Sequence, residues 1–320
     1  MRLLQVSSSV VNDVFQKLLA EDMLRTEEVG GLRLIYPEYL YQAEVQTSKR
    51  LLKLRDLADA LEKVNVDKII GQWESEAGIV LAEAQKEAIH ASLKYGVFVL
   101  TGGPGTGKTT VIKGILAVLE KAGCRILLAA PTGRAARRLA DSSGHPAVTV
   151  HRLLEYTPNG GGFNFGKNDG DPLDADAIII DEASMLDITL TYHLLKAVQG
   201  GCRLIFVVDV DQLPSVGAGS VLKDIIRSQK MPVVRLENVF RQAEISPIVR
   251  NAHRINRGQM PEWEPSSDFT FVEIENEFDA AEYVANIYAR LTQQSDWQSV
   301  QVLSPMHKNP CGVQNLNHLL

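Results

Sequence analysis

Val97-Phe98-Val99-Leu100-Thr101-Gly102-Gly103-Pro104-Gly105-Thr106-Gly107-Lys108-Thr109-Thr110 is the stretch on which the fold turns. A short, wholly apolar run leads into G-x-x-x-x-G-K-[ST], and a helical pattern follows from about Thr109. Glycines let the main chain wrap closely around an anion, so that its N–H groups point inward. The amino end of the following helix adds a favourable dipole for the same negative charge. Gly103, Pro104, Gly105, Thr106, Gly107, Lys108, Thr109 and Thr110 are therefore expected to cradle a triphosphate. Lys108 should reach the β- and γ-phosphates, and the Thr109 hydroxyl should ligate Mg²⁺.

Three further apolar runs recur downstream: Arg125–Ala129, Ala177–Ile180 and Arg203–Val208. Runs of this length and continuity suit strands of a parallel sheet covered on both faces. Helical patterns separate them, which predicts a doubly wound α/β domain with functional loops at the carboxyl ends of the strands. The run ending at Ile180 continues into Asp181-Glu182-Ala183-Ser184. Asp181 is read as holding Mg²⁺ through water, and Glu182 as orienting or deprotonating an attacking water. A nucleoside triphosphate and Mg²⁺ are the cofactors this pairing calls for.

Residues 1–75 are expected to form a mainly helical accessory domain with a linker helix. Within them, Gly31–Tyr36 is strand-like and stopped by Pro37, and Leu51, Leu54, Leu57 and Leu61 mark a helix. Residues 76–262 carry the α/β pattern. The glycine- and asparagine-rich Thr157–Asp174 reads as a loop or short hairpin. Residues 263–320 begin a new unit: strand Asp268–Ile274, helix Phe278–Leu291, strand Val300–Leu303.

The bulk properties are compatible with this scheme. The 320 residues are 45% hydrophobic and 22% charged, enough apolar material for a sizeable core. A net charge of −6 leaves the partner open, since phosphate contacts depend on where cations cluster. Cys124, Cys202 and Cys311 show no metal-binding spacing, and no apolar stretch is long enough to cross a bilayer. A cytoplasmic protein without a membrane partner is the expectation.

Several further stretches narrow the class. Val207-Val208-Asp209-Val210-Asp211-Gln212-Leu213-Pro214-Ser215-Val216-Gly217 resembles the third motif of superfamily-one helicases, and Asn238-Val239-Phe240-Arg241-Gln242 resembles their next motif. Ala130–Ala136 and Val148–Leu154 resemble their single-strand-binding motifs, and Leu81–Gln85 their adenine-reading glutamine motif. The order and wording, including Val302–Lys308, are most similar to the RecD-like branch. What the resemblance implies is a RecA-like domain, the start of a second, and ATP-driven movement along single-stranded DNA, 5′ to 3′, in repair or recombination. It implies that Gln212 couples nucleotide state to the DNA groove, that Arg241 contacts the γ-phosphate, and that Gln85 reads adenine. Pro131, Thr132, Gly133, Arg134, Thr149 and His151 become the DNA-facing candidates, and other repair or recombination proteins the expected partners.

The chain departs from the family at Val208, where a glycine is usual, and it reaches Leu320 before the family's later motifs. Weak nucleotide binding, slow hydrolysis and no duplex unwinding are therefore expected of these 320 residues. An ATP-driven switch or clamp-loading enzyme shares the cradle without translocating. A binding module that uses nucleotide only to fix its shape shares it too.

Overall fold

The four apolar runs become the four inner strands of one sheet in the computed structural model, which describes residues 6–57, 64–159, 162–209, 211–237, 246–263 and 268–320. They are β3 (Val97–Gly102), β4 (Ile126–Ala130), β8 (Ala177–Ile180) and β9 (Arg203–Val208). The edges are β5 (Ala147–Thr149) and β10 (Val233–Leu236), giving the order β10-β3-β9-β8-β4-β5. Every pairing in this sheet is parallel. This is the P-loop, doubly wound α/β class expected from the sequence.

Continuous apolar strands are needed because both faces are covered. Val97, Val99, Ile178, Ile180, Leu204 and Phe206 enter one core layer, while Phe98, Leu100, Ile179, Ile205 and Val207 enter the other. Alternation along each strand sends neighbours to opposite faces. Phe98 and Phe206 are both fully buried, each contributing about 1.5–3 kcal/mol of burial free energy. Helices α4 (Glu83–Lys94) and α5 (Lys108–Lys121) cover the second layer, and α8 (Ile188–Ala197) and α9 (Val221–Ser228) the first.

The chain divides into two compact units, residues 1–245 and 246–320. In the first, α1 (Ser8–Ala20) precedes a hairpin of β1 (Leu24–Val29) and β2 (Leu32–Pro37). Gly30 and Gly31 both take positive φ, +59° and +78°, which a two-residue hairpin turn requires. The segment is thus less helical than its sequence suggested: β1 joins the one strand that was expected. The following α2 (Glu38–Leu57) sends Ala43, Leu51 and Leu54 into the same core as the sheet. A helix α3 (Val66–Ala77), stopped by Gly78 in the left-handed conformation, leads into the α/β pattern. The glycine-rich segment forms the expected hairpin, β6 (Tyr156–Asn159) with β7 (Gly162–Phe165).

In the second unit α10 (Pro247–Asn256) starts with Ser246 as cap and Pro247 in its first turn. The helix expected from Phe278 is present as α11 (Glu277–Gln294), and α12 (Val313–Leu319) follows. The two strands expected around it do not form. Asp268–Ile274 and Val300–Leu303 lie outside any ladder. Apolar alternation alone does not make a strand, because its backbone groups need a paired neighbour, and neither segment finds one among the described residues.

Candidate nucleotide site

The phosphate loop leaves β3 at Gly102 and enters α5 through Gly105 and Gly107, whose φ values are +76° and +83°. Thr106 is buried, and its hydroxyl donates to the Gly103 carbonyl (2.9 Å), closing the loop on itself. Gly107 caps α5 with no side chain bonded to the helix end, and no acid occupies the first turn. The free N–H groups and the dipole therefore face outward for an anion. Thr109 is exposed and Thr110 half-buried in that turn.

Close packing makes Gly102 irreplaceable on steric grounds. A Cβ there would lie 2.6 Å from Thr106 Oγ1 and 3.0 Å from Leu236 Cβ. Gly102→Ala is expected to break the Thr106–Gly103 bond and destabilise the first unit by about 1–3 kcal/mol, read as a lower thermal midpoint with weaker nucleotide binding.

Lys108 turns back over the loop. Its Nζ donates to the carbonyls of Gly102 (2.5 Å) and Gly103 (3.0 Å) and lies 3.6 Å from Asp209 Oδ2. Asp209 is 4% exposed, and its other oxygen accepts the Asp211 amide (3.1 Å). Asp181, the acid expected from the sequence to serve the cradle, does not end the strand beside it. Strand order gives that place to β9, which separates β3 from β8, so Asp209 is the carboxylate that meets Lys108. The signal was present, an acid at the end of an apolar run, but the order of strands in a sheet is not written along the chain.

Asp181 and Glu182 follow β8 at the same end of the sheet. The Asp181 amide donates to Ala129 O (2.9 Å), and Asp181 Oδ1 accepts the Glu182 amide (2.9 Å). Burial pushes the Asp181 carboxyl above its ordinary range, against the opposing pull of the Glu182 amide, Lys108 and Arg138. Glu182 is likewise pushed up, by burial first and by Asp181 second, while Lys108, Arg138 and a side-chain hydrogen bond from Gln212 draw it down. Lys108, Asp181, Glu182 and Gln212 are thus one electrostatic group. Glu182 has φ +51°, a left-handed conformation costly for a non-glycine residue, and its Oε2 and the Ser184 hydroxyl are buried without a hydrogen-bond partner among the described residues. Two buried polar atoms without partners, two carboxyls disfavoured as anions and an uncapped helix end fit a triphosphate with its cation.

Gln85 is 2% exposed in the first turn of α4. Its Oε1 accepts the Ala82 amide (3.0 Å) and its Nε2 donates to the Thr106 carbonyl (3.3 Å). Both ends of the amide are engaged, and one holds the phosphate loop.

A family model described as an AAA domain matches residues 80–274, more than half of the chain and all of the sheet. The chain belongs to the AAA domain family, and it is similar to RecD-like helicases. It is 40% identical over 240 residues to the ATP-dependent RecD2 DNA helicase of Deinococcus radiodurans, covering 75% of this chain and 32% of the relative. It is 43% identical over 167 residues to the RecBCD enzyme subunit RecD of Mycobacterium tuberculosis (strain H37Rv), covering 45% and 28%. The chain therefore spans about a third or less of the length of these relatives. A solved structure, the Pif1 helicase from Candida albicans, overlaps 68% of this chain and 56% of its own at 19% identity and a TM-score of 0.45.

The residues proposed from the sequence to face a single strand lie at the same end of the sheet. Pro131 and Thr132 follow β4, and Thr132 Oγ1 accepts the Ala135 amide (3.2 Å) to cap α6 (Gly133–Ser143). Thr149 ends β5 and caps α7 (Val150–Leu153) through the Arg152 amide (3.1 Å). Gly133 and Arg134 are exposed. His151 packs edge-on to Tyr156, with ring centroids 5.5 Å apart, and its centroid is 6.4 Å from that of Phe165. Arg138, one turn after Arg134 on α6, acts electrostatically on Asp181 and Glu182. Arg241 and the rest of its motif lie outside the described residues, as do Val210, the side chain of Phe163 and Leu61.

Val208, the departure from the family pattern, is 1% exposed and pairs with Thr101 at the end of β9. The close approach occurs instead at Gly217, where a Cβ would collide with the Asp187 carboxylate. Asp187 caps α8 by accepting the Leu190 amide (2.7 Å). Gly217→Ala is expected to displace Asp187, cost about 1–3 kcal/mol in thermal stability, and loosen the loop that carries Gln212.

Proposed function

We propose that this chain is the nucleotide-binding engine of an ATP-dependent, RecD-like DNA helicase. The observation that carries the reading is the convergence of the glycine loop, Lys108, Asp209, Asp181, Glu182 and Gln212 at the carboxyl ends of three adjacent strands. Gly103–Thr110 would hold the triphosphate, with Thr109 and Asp181 on Mg²⁺. The bound cation supplies charge neutralisation between the phosphates. Glu182, whose raised carboxyl is a better proton acceptor than an ordinary glutamate, takes the proton of the attacking water. Gln212, which acts electrostatically on Glu182, reports the state of that site to the loop ahead of Gly217. Arg241 would meet the γ-phosphate.

Pro131, Thr132, Gly133, Arg134, Thr149 and His151 form the proposed track for single-stranded DNA, followed 5′ to 3′. Gln85 reads adenine if it releases Thr106, and otherwise acts by holding the loop. Residues 1–75 serve as the accessory part and 263–320 as the beginning of a second RecA-like domain. Work in repair or recombination, in the cytoplasm and alongside other proteins of those processes, completes the proposal.

The test is equilibrium binding of a fluorescent ATP analogue to the 320-residue chain with and without Mg²⁺, followed by ATPase assays with added single-stranded DNA. Magnesium-dependent, saturable binding and DNA-stimulated turnover are expected. Binding that ignores Mg²⁺, or turnover indifferent to DNA at saturating nucleotide, would refute the engine or the translocase respectively.

A further inference from the structure

A second cavity, of about 470 Å³, opens between α2, the amino end of α8, Ala218–Ser220 and α9, remote in sequence from the phosphate loop. Its volume lies in the range of small-molecule sites. Leu40, Leu51, Ile225 and Met231 give it apolar walls. Glu44 from α2 and Asp224 from α9 both line it. They are close enough for Asp224, after burial, to push the Glu44 carboxyl up, with Glu27 adding to the effect. Lys230 also lines the cleft, so the three charged side chains leave one net negative charge.

A further wall residue is an anomaly for a purely structural cleft. Thr47 is 4% exposed, and its hydroxyl has no hydrogen-bond partner among the described residues. A buried hydroxyl left unpaired is destabilising, so this wall is not packed for stability alone. Apolar walls with two carboxylates from facing helices specify the chemistry of an occupant.

We propose that this cleft binds a small amphipathic organic amine, its apolar body against Leu51, Ile225 and Met231 and its ammonium between Glu44 and Asp224. A single lysine side chain from a protein partner would bring the charge but leave most of the volume unfilled. Occupancy has a route to the nucleotide site. Ala218, Gly219 and Ser220 in the wall follow directly on the loop that carries Gln212, and the Ile188 amide ties Ala218 O (2.9 Å) to the segment after Glu182.

Isothermal titration calorimetry of the 320-residue chain with 4-phenylbutylamine, without nucleotide, tests the site independently of any ATPase activity. Saturable one-to-one binding is expected for the amine, with 4-phenylbutanol and 4-phenylbutyrate at least tenfold weaker. The double variant Glu44→Gln/Asp224→Asn should lose that preference, and Ile225→Trp, which fills the cleft, should abolish binding. Leu52→Trp at the more exposed rim provides a second block should the first fail to fold. Equal affinity for amine and alcohol would overturn the proposal, as would no saturable binding or binding that survives a folded blocking variant. A basic amphipathic peptide that binds where the amine does not would assign the cleft to a protein partner and refute the small-molecule reading.

Discussion

Lys108→Ala is expected to weaken binding of a nucleoside triphosphate by roughly ten- to a hundredfold and to lower turnover by about 10²–10³. The lysine is the cation that the loop presents to a phosphate, and a charge-assisted hydrogen bond to an anion contributes about 1.5–3 kcal/mol. Its present bonds to Gly102 O, Gly103 O and the Asp209 carboxylate are of the kind a phosphate would replace. Removal has a second consequence, because the buried Asp209 carboxylate would lose its ion-pair partner. The single variant should therefore also lose thermal stability. Lys108→Ala combined with Asp209→Asn separates the two effects: the double variant should regain most of the stability and none of the nucleotide affinity. If affinity returned together with stability, Lys108 would be a structural cation and not a phosphate ligand.

The contrast between Lys108 and Asp209 shows where the sequence is informative. The glycine loop is legible because φ > 0 at Gly105 and Gly107 and a tight neighbour at Gly102 leave few other residue types. The inner strands are legible because burial on both faces demands apolar runs. Their spatial order is not legible, and with it goes the partner of Lys108, since β9 reaches its place between β3 and β8 only through long-range pairing. The same reason explains the failed strands at Asp268–Ile274 and Val300–Leu303, whose local pattern says nothing of a partner. β1 was missed for a different cause. Leu24–Val29 carries Thr26, Glu27 and Glu28 and lies largely exposed, and only the Gly30–Gly31 turn announced a hairpin. Gln85 and His151 were recognisable as motif residues. Their bonding to Thr106 and their packing on Tyr156 and Phe165 follow from three-dimensional neighbours alone.

Asp181→Asn and Glu182→Gln are expected to stabilise the protein without nucleotide while removing its chemistry. Both carboxyls titrate above their ordinary values in the folded chain, chiefly because burial disfavours the anion. Between the unfolded and the raised folded values, the native state holds more protons than the unfolded one. Stability contributed by these groups is therefore full at low pH and declines as pH rises through that window. Above that window the fold carries two disfavoured charges, and a neutral isostere relieves one of them. A gain of about 0.5–2 kcal/mol per substitution, roughly 1–8 °C in thermal midpoint, follows for a unit of this size. Melting curves between about pH 4 and 8 without Mg²⁺ should show the wild type falling relative to both variants as pH increases. The variants then diverge. Glu182→Gln should retain Mg²⁺-dependent nucleotide binding with turnover down about 10²–10⁴, as loss of a general base predicts. Asp181→Asn should lose the dependence on Mg²⁺. A wild-type protein no less stable at neutral pH than either variant would mean that these carboxylates already have compensating partners, and the case for a cation-binding site there would fall with it.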